Sequence, residues 1–289
     1  MSEQFLILRP WIPVEKLYLF WLSQNPVAIH LISEALEQNQ NTDKISWYHL
    51  SENPAAIYLL EQNPNKINWK RLSNNPEAIH LISNALKQNP NKIDLSWLSA
   101  NPKAIHILEQ NPDKIDWVWL SCNPAAIHIL EQNQDKIDWI SLSCNPAAIH
   151  LLEQNIDKID WEQLSANPKA IHLISEALEQ DPDKIFWDYL SGNPKAIHIL
   201  EQNLDKIDWL MLSQNSAAIH ILEKNIDKIN WELISTNLAI FTYDYDKIKE
   251  HMETTGIKDE LIAHYYRPEN IHKFVERGDL LEDFNSRWY

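Results

Sequence analysis

A block of about 22 residues recurs along most of this chain, and that self-similarity constrains the fold more than any composition figure does. Residues 117–138 read WVWLSCNPAAIHILEQNQDKID, and residues 139–160 read WISLSCNPAAIHLLEQNIDKID. The consensus is W-x-x-L-S-x-N-P-x-A-I-H-[IL]-L-E-Q-N-x-D-K-I-D. Ten units begin at Leu19, Trp47, Trp69, Leu95, Trp117, Trp139, Trp161, Trp187, Trp209 and Trp231. They are numbered 1 to 10 below. Such units are too small to bury a core alone and gain stability only by stacking on neighbours.

Unit length separates helix from strand. Most units have 22 residues, units 3 and 7 have 26, and unit 1 has 28. In the long ones A-I-H-I-L-E-Q becomes A-I-H-L-I-S-E-A-L-E-Q, as over residues 170–180. Four added residues are about one helical turn, so the apolar face keeps its register. The same insertion would lengthen a strand by about 13 Å and spoil the stacking. Asn123-Pro124 fits an N-cap followed by proline at the first helical position, predicting helix B over 124–132 with Asn133 as a left-handed stop. Asp135 is the expected cap of helix A over 136–143, with Asp138 in its first turn. The expected fold is all-α: an α-solenoid of about ten two-helix repeats over 19–243, an N-terminal cap over 1–18, and a helical C-terminal cap or docking segment over 244–289.

A leucine-rich-repeat horseshoe is the rival, since its period overlaps and L-S-x-N-P resembles part of its motif. It needs apolar residues three, five and eight places before the asparagine. The fifth place back holds Val118, Ile140, Glu162, Asp188 and Glu232, which is not an apolar column. Only 3 glycines in 289 residues also count against tight hairpins and an all-β fold.

At the front, W-I-P-V-E-K-L over 11–17 mimics the N-x-D-K-I approach to a unit, as a modified cap would. After Asn237 the pattern decays, with Leu238 in place of proline and Phe241 read into the histidine column. The tail suggests helices over 246–254, 258–266 and 269–276, with turns at Arg267-Pro268 and Arg277-Gly278.

The recurrent columns read mainly as architecture. Tryptophan precedes a Leu or Ile by three residues, placing both on one helix face and pointing to core packing. Ser-x-Asn occurs in all ten units, from Ser23/Asn25 to Ser235/Asn237, and fits caps and an inter-unit hydrogen-bond ladder. Ten serine nucleophiles would each need a base and an oxyanion hole. The lysine column (Lys66, Lys92, Lys114, Lys136, Lys158, Lys184, Lys206, Lys228) lies among Asp and Asn residues and reads as a solvated edge. Cys122 and Cys144 occupy equivalent places one unit apart. Stacked repeats lie roughly 9–10 Å apart, too far for a disulfide, so both are expected free.

Histidine forms a column at His30, His80, His106, His128, His150, His172, His198 and His220, with Tyr58 and Phe241 as substitutes. One histidine per unit does not surround a metal ion. The rings either pack between units or line a repeated surface. In the second case His80, His106, His128, His150, His172, His198 and His220, with Glu109, Glu131, Glu153, Glu201 and Glu223, are the candidate partner surface.

A net charge of -16 opposes generic binding to phosphate backbones and favours basic or polar protein partners. No phosphate loop, metal-spaced Cys/His cluster or signal peptide is evident, and no apolar run approaches the ~18 residues of a membrane span. The expectation is a non-enzymatic protein-binding scaffold inside a cell, without cofactor, metal, nucleic acid, membrane or small-molecule substrate. A tail of about 45 residues is short for a catalytic domain.

The D-K-I-D-W-x-x-L-S-x-N-P-x-A-I-H-L-L-E-Q-N units, with the opening W-I-P-V-E-K-L, closely resemble a tandem-repeat family of giant DNA viruses of amoebae. The resemblance covers residues 11–241. It implies a viral protein in the host cytoplasm or the virion, either binding a host factor or serving as a structural component. It carries no established activity and no catalytic residues. Leu95 for Trp and Ser216 for Pro depart from the pattern locally.

Overall fold

A computed structural model describes residues 5–256 and divides the chain into two compact units, 8–241 and 1–7 with 242–289. The repeats form the larger one. In unit 5, Asn123 accepts a bond from the Ala125 N–H and starts a 3-10 turn, Pro124–Ala126, which runs into helix B, Ile127–Gln132. In the long units helix B is extended to Ile29–Glu37, Ile79–Gln88 and Ile171–Gln180. The inserted residues are helical, as the unit lengths predict. The two further residues of unit 1 fall beside Asn39 and Asn41, both at positive φ (53° and 48°), a conformation asparagine tolerates.

Helix A differs from expectation. Gln134–Lys136 form a separate 3-10 turn, and Ile137 and Asp138 are extended. Helix A is Trp139–Ser143, and its cap is Asp138, which accepts from the Ser141 N–H, not Asp135. Asn133 lies at φ -135°, ψ 50° and is no left-handed stop. Asp94, Asp116, Asp160 and Asp208 cap their A helices likewise, whereas Phe186 in unit 8 supplies no side-chain cap.

The core consists of three columns: the A-helix leucine (Leu72, Leu142, Leu212), the alanine of the Pro-x-Ala turn (Ala78, Ala148, Ala218) and a B-helix leucine or isoleucine (Ile82, Leu152, Leu222), all fully buried. The tryptophans that open the units are only half-buried. Strands among the described residues are limited to Leu6–Leu8 and Phe241–Tyr243, which pair with each other. A horseshoe would need a strand in every unit, so that alternative is overturned.

Two buried polar ladders join the units. Each Ser Oγ donates to the carbonyl four residues back and accepts the N–H that precedes the next helix A: Ser143 takes Asp160 N at 3.0 Å and Ser191 takes Asp208 N at 3.0 Å. Each Asn Nδ2 donates to carbonyls of the previous unit, as Asn167 does to Ser143 and Asn145. Both ladders continue past the last unit. Ser235 accepts Tyr18 N at 3.1 Å, and Asn25 Nδ2 donates to the carbonyls of Ser235 and Asn237 at 3.1 Å. Arg9 N donates to Ile240 O, and Arg9 Nε donates to Ala239 O. The array is therefore a closed ring in which unit 10 is followed in space by unit 1. An open solenoid must cover its terminal units; here the two terminal units cover each other.

Closure sets the curvature. Neighbouring A helices approach with Cα atoms within 8 Å, as between Trp161–Ala166 and Trp187–Gly192, whereas neighbouring B helices are more widely spaced. The tighter layer is the concave one. With layers about 10 Å apart, ten-fold closure widens the outer spacing by about 6 Å. Helix A thus lines the inside of the ring and helix B the outside.

The second unit is described over 5–7 and 242–256. Phe5 O accepts the Asp244 N–H, and Asp244 caps helix Tyr245–Thr255, which ends at Gly256 in the left-handed region (φ 72°). This helix matches the one expected over 246–254. Those expected over 258–266 and 269–276, and both turns, lie outside the described residues.

Candidate functional site

The histidine column lies on the convex side and is at least partly exposed in every unit that carries it. Its rings bridge neighbouring B helices rather than packing into grooves. His150 Nε2 meets Glu131 Oε1 at 2.9 Å, and His128–Glu109, His172–Glu153, His220–Glu201 and His80–Glu61 repeat the pair at 2.9–3.2 Å. The wider spacing of the outer layer is spanned by these long side chains.

Exceptions follow from sequence. Units 1, 3 and 7 carry serine where short units carry the glutamate. Tyr58 of unit 2 hydrogen-bonds one of these, Ser33. His106 and His198, which follow Ser83 and Ser175, make no such pair. Glu223 has no histidine ahead of it, because unit 10 forms no B helix. There Leu238–Ile240 make the 3-10 turn with Ile240 fully buried in the alanine place. Phe241 consequently stands in the isoleucine column, not the histidine column, and packs edge-on against His30 with centroids 5.4 Å apart.

The lysine column is not a free solvated edge. Lys136 Nζ lies 4.7 Å above the Trp117 ring, Lys158 4.4 Å above Trp139, and Lys228 4.4 Å above Trp209. Lys92, Lys184 and Lys206 cover Trp69, Trp161 and Trp187 in the same way. Lys16 lies 4.5 Å over Trp231 and completes the relation across the ring closure. Each of these seven tryptophans is a junction residue roofed by a cation, not a core residue. Lys114 precedes unit 5 and follows unit 4, which begins with Leu95; lacking a ring, it approaches Asp113 at 3.9 Å instead. The sequence held a signal for this: lysine stands three places before all ten unit starts, Leu19 included.

The concave surface is where the units differ. The two positions after each unit start lie on helix A, facing away from helix B. In units 1–5 they carry an aromatic and cationic band. His49 stacks on Trp21 and contacts Phe20 and Tyr48. Arg71 lies 4.0 Å over Tyr48 and 4.7 Å over Trp97, pairs with Glu52 at 2.9 Å, and is held below the ordinary guanidinium range by burial. Trp97 and Trp119 pack with centroids 5.0 Å apart. Further round stand Val118, Ile140 and Leu210, all exposed, beside Glu162, Asp188 and Glu232. The neighbouring Glu162 carboxylate raises the Tyr189 hydroxyl above its ordinary value. This surface escaped the sequence reading because the positions share no residue type.

Cys122 and Cys144 are free, and their thiols donate to Trp119 O and Ser141 O. Burial, then the proximity of Cys144, pushes the Cys122 thiol up to about 11; burial raises Cys144 too. Among the described residues, no group of three His, Cys, Asp or Glu side chains could hold a metal ion, and no helix is long and apolar enough to cross a membrane. No family model, curated protein or solved structure matches this chain.

Proposed function

We propose that the chain is a non-enzymatic ring scaffold that binds protein, with helix A of the ring supplying the contact surface. One observation carries this reading. The Ser, Asn, Leu and Ala columns are nearly uniform and buried, while the exposed or partly exposed positions after each unit start vary from Phe20 and Tyr48 to Val118, Glu162 and Asp188. A uniform frame that varies only at its surface suits recognition, because the frame fixes geometry and the variable residues give identity. Repeat arrays of this kind present extended concave surfaces to their partners. The resemblance to giant-virus repeats supports a host-cell protein as that partner. The outer His/Glu strip is a weaker candidate, since most of its histidines are engaged with glutamates of the neighbouring unit.

The test is affinity capture from host lysate with the full chain and two surface variants. One carries Tyr48→Ser, Val118→Ser and Ile140→Ser; the other carries His128→Ala, His150→Ala and His172→Ala. A partner retained by the histidine variant and lost by the concave variant supports the reading. A partner unaffected by either, or an activity assignable to the ring, overturns it.

A further inference from the structure

The concave face is not chemically even, and its second half has a definite character. From Trp117 onward no helix A contains lysine or arginine. The positions after the unit starts there are Val118 and Trp119, Ile140 and Ser141, Glu162 and Gln163, Asp188 and Tyr189, Leu210 and Met211, and Glu232 and Leu233. Val118 is 52% exposed, Ile140 57% and Leu210 49%. Val118 and Ile140 stand at matching places in adjacent units and Leu210 three units further on, and large apolar side chains so exposed form an interrupted patch that a partner gains by covering. Carboxylates adjoin the patch at Glu162, Asp188 and Glu232, and no cation on these helices neutralises them. The nearest lysine column is already committed, since Lys158, Lys184, Lys206 and Lys228 stack on tryptophans. In units 1–4, by contrast, Lys70 and Arg71 of unit 3 stand at these positions, paired with Asp94 and Glu52.

We infer that the concave A-helix face of units 5–10 docks a basic amphipathic protein segment, its apolar side chains on Val118, Ile140 and Leu210 and its lysines or arginines on Glu162, Asp188 and Glu232. The argument is charge complementarity joined to exposed apolar area. An acidic or purely polar segment would bury carboxylates against carboxylates or leave the apolar residues wet. The inference rests on the scaffold reading and specifies its partner.

Fluorescence anisotropy on the full chain tests it with three labelled probes: an amphipathic leucine–lysine peptide, its leucine–glutamate counterpart, and a serine–lysine peptide without an apolar side. The leucine–lysine peptide is expected to bind, and the other two are not. Neutralising the carboxylates together (Glu162→Gln, Asp188→Asn, Glu232→Gln) weakens binding about tenfold at low ionic strength, with the difference shrinking as salt is raised. Val118→Ser with Ile140→Ser weakens it at all salt concentrations. These side chains are exposed, so an unchanged melting temperature shows that the variants fold. Equal binding of the leucine–glutamate peptide, or full affinity in both variants, overturns the inference. If peptide binding fails these tests while capture from lysate still depends on Tyr48, Val118 and Ile140, the basic segment is wrong and the scaffold reading stands. If capture depends on none of them, both fall.

Discussion

The side-chain amide of Asn25 donates to the backbone carbonyl of Asn237, 212 residues away, at the 3.1 Å that separates Asn167 from Asn145 in adjacent units. The seam between the chain's first and last repeats is thus built like any other junction. It differs in one respect: no covalent connection crosses it. Asn25→Ala and Asn167→Ala each remove a buried cap and two buried bonds, a loss of about 2–4 kcal/mol. Only the seam variant is expected to open locally, because its two sides can part without unfolding a unit. Hydrogen exchange checks this. The Tyr18 amide, bonded to Ser235, is expected to be protected like the Asp160 amide in the native chain and to lose protection selectively in Asn25→Ala. Rapid exchange of Tyr18 in the native protein would show that the ring is open.

Unit 4 provides a natural vacancy in the cation–π series. Leu95 stands where eight of the ten units place tryptophan, and Lys114 lacks the ring that Lys136 finds in Trp117. Leu95→Trp is expected to recruit Lys114 and raise stability by about 0.5–1 kcal/mol. Adding Lys114→Ala should cancel that gain, while Lys114→Ala alone stays within about ±0.5 kcal/mol. Urea unfolding of the three variants measures it. A gain that survives removal of Lys114 would mean that the indole packs without needing the cation.

Much of this architecture was legible in the residues. The Asn-Pro pair announced the start of helix B, and the four-residue insertion announced that helix B is a helix. Helix A was misplaced by three residues because both Asp135 and Asp138 can cap. The choice falls on Asp138, the residue whose N–H must reach Ser121 on the preceding helix A, a constraint across 17 residues that local spacing does not contain. Closure was hidden for the same reason. The W-I-P-V-E-K-L opening copies the approach to a unit, but that Lys16 roofs Trp231 depends on how far each repeat turns. A turn per repeat is the sum of small differences between two helix layers and has no single residue to announce it. The histidine spacing fits both a groove and a surface, and the choice between them lies in pairing with a glutamate 19 residues earlier, on the neighbouring unit.

The His–Glu pairs recur often enough to look important, yet each is about half exposed on both sides. Exposed ion pairs typically contribute about 0.2–1 kcal/mol. A double-mutant cycle on His150 and Glu131 is therefore expected to give a coupling in that range, reduced at high salt. His106, which follows a long unit and faces serine, should give no coupling with Ser83. Coupling well above this range at His150 would assign the strip a structural weight that its exposure does not support.

The two thiols allow a test of burial at the junction between units 5 and 6. Burial first, then the neighbouring Cys144, raises the Cys122 thiol from an ordinary value of 9.0 to about 11. The thiolate is the reactive form, so alkylation of Cys122 in the folded chain is expected to be slow at pH 8 and to accelerate toward pH 11, while the unfolded chain reacts readily from pH 9. Linkage gives the sign of the stability effect. Below pH 9 the thiol is protonated in both states and exerts no pull. Between 9 and about 11 the unfolded chain releases the proton while the folded chain retains it, so stability falls as pH rises through that window. Cys122→Ser with Cys144→Ser should remove this part of the alkaline loss, read as a flatter profile of urea midpoint against pH. An alkylation rate at pH 8 equal to that of the unfolded chain would show that the junction does not bury its thiols.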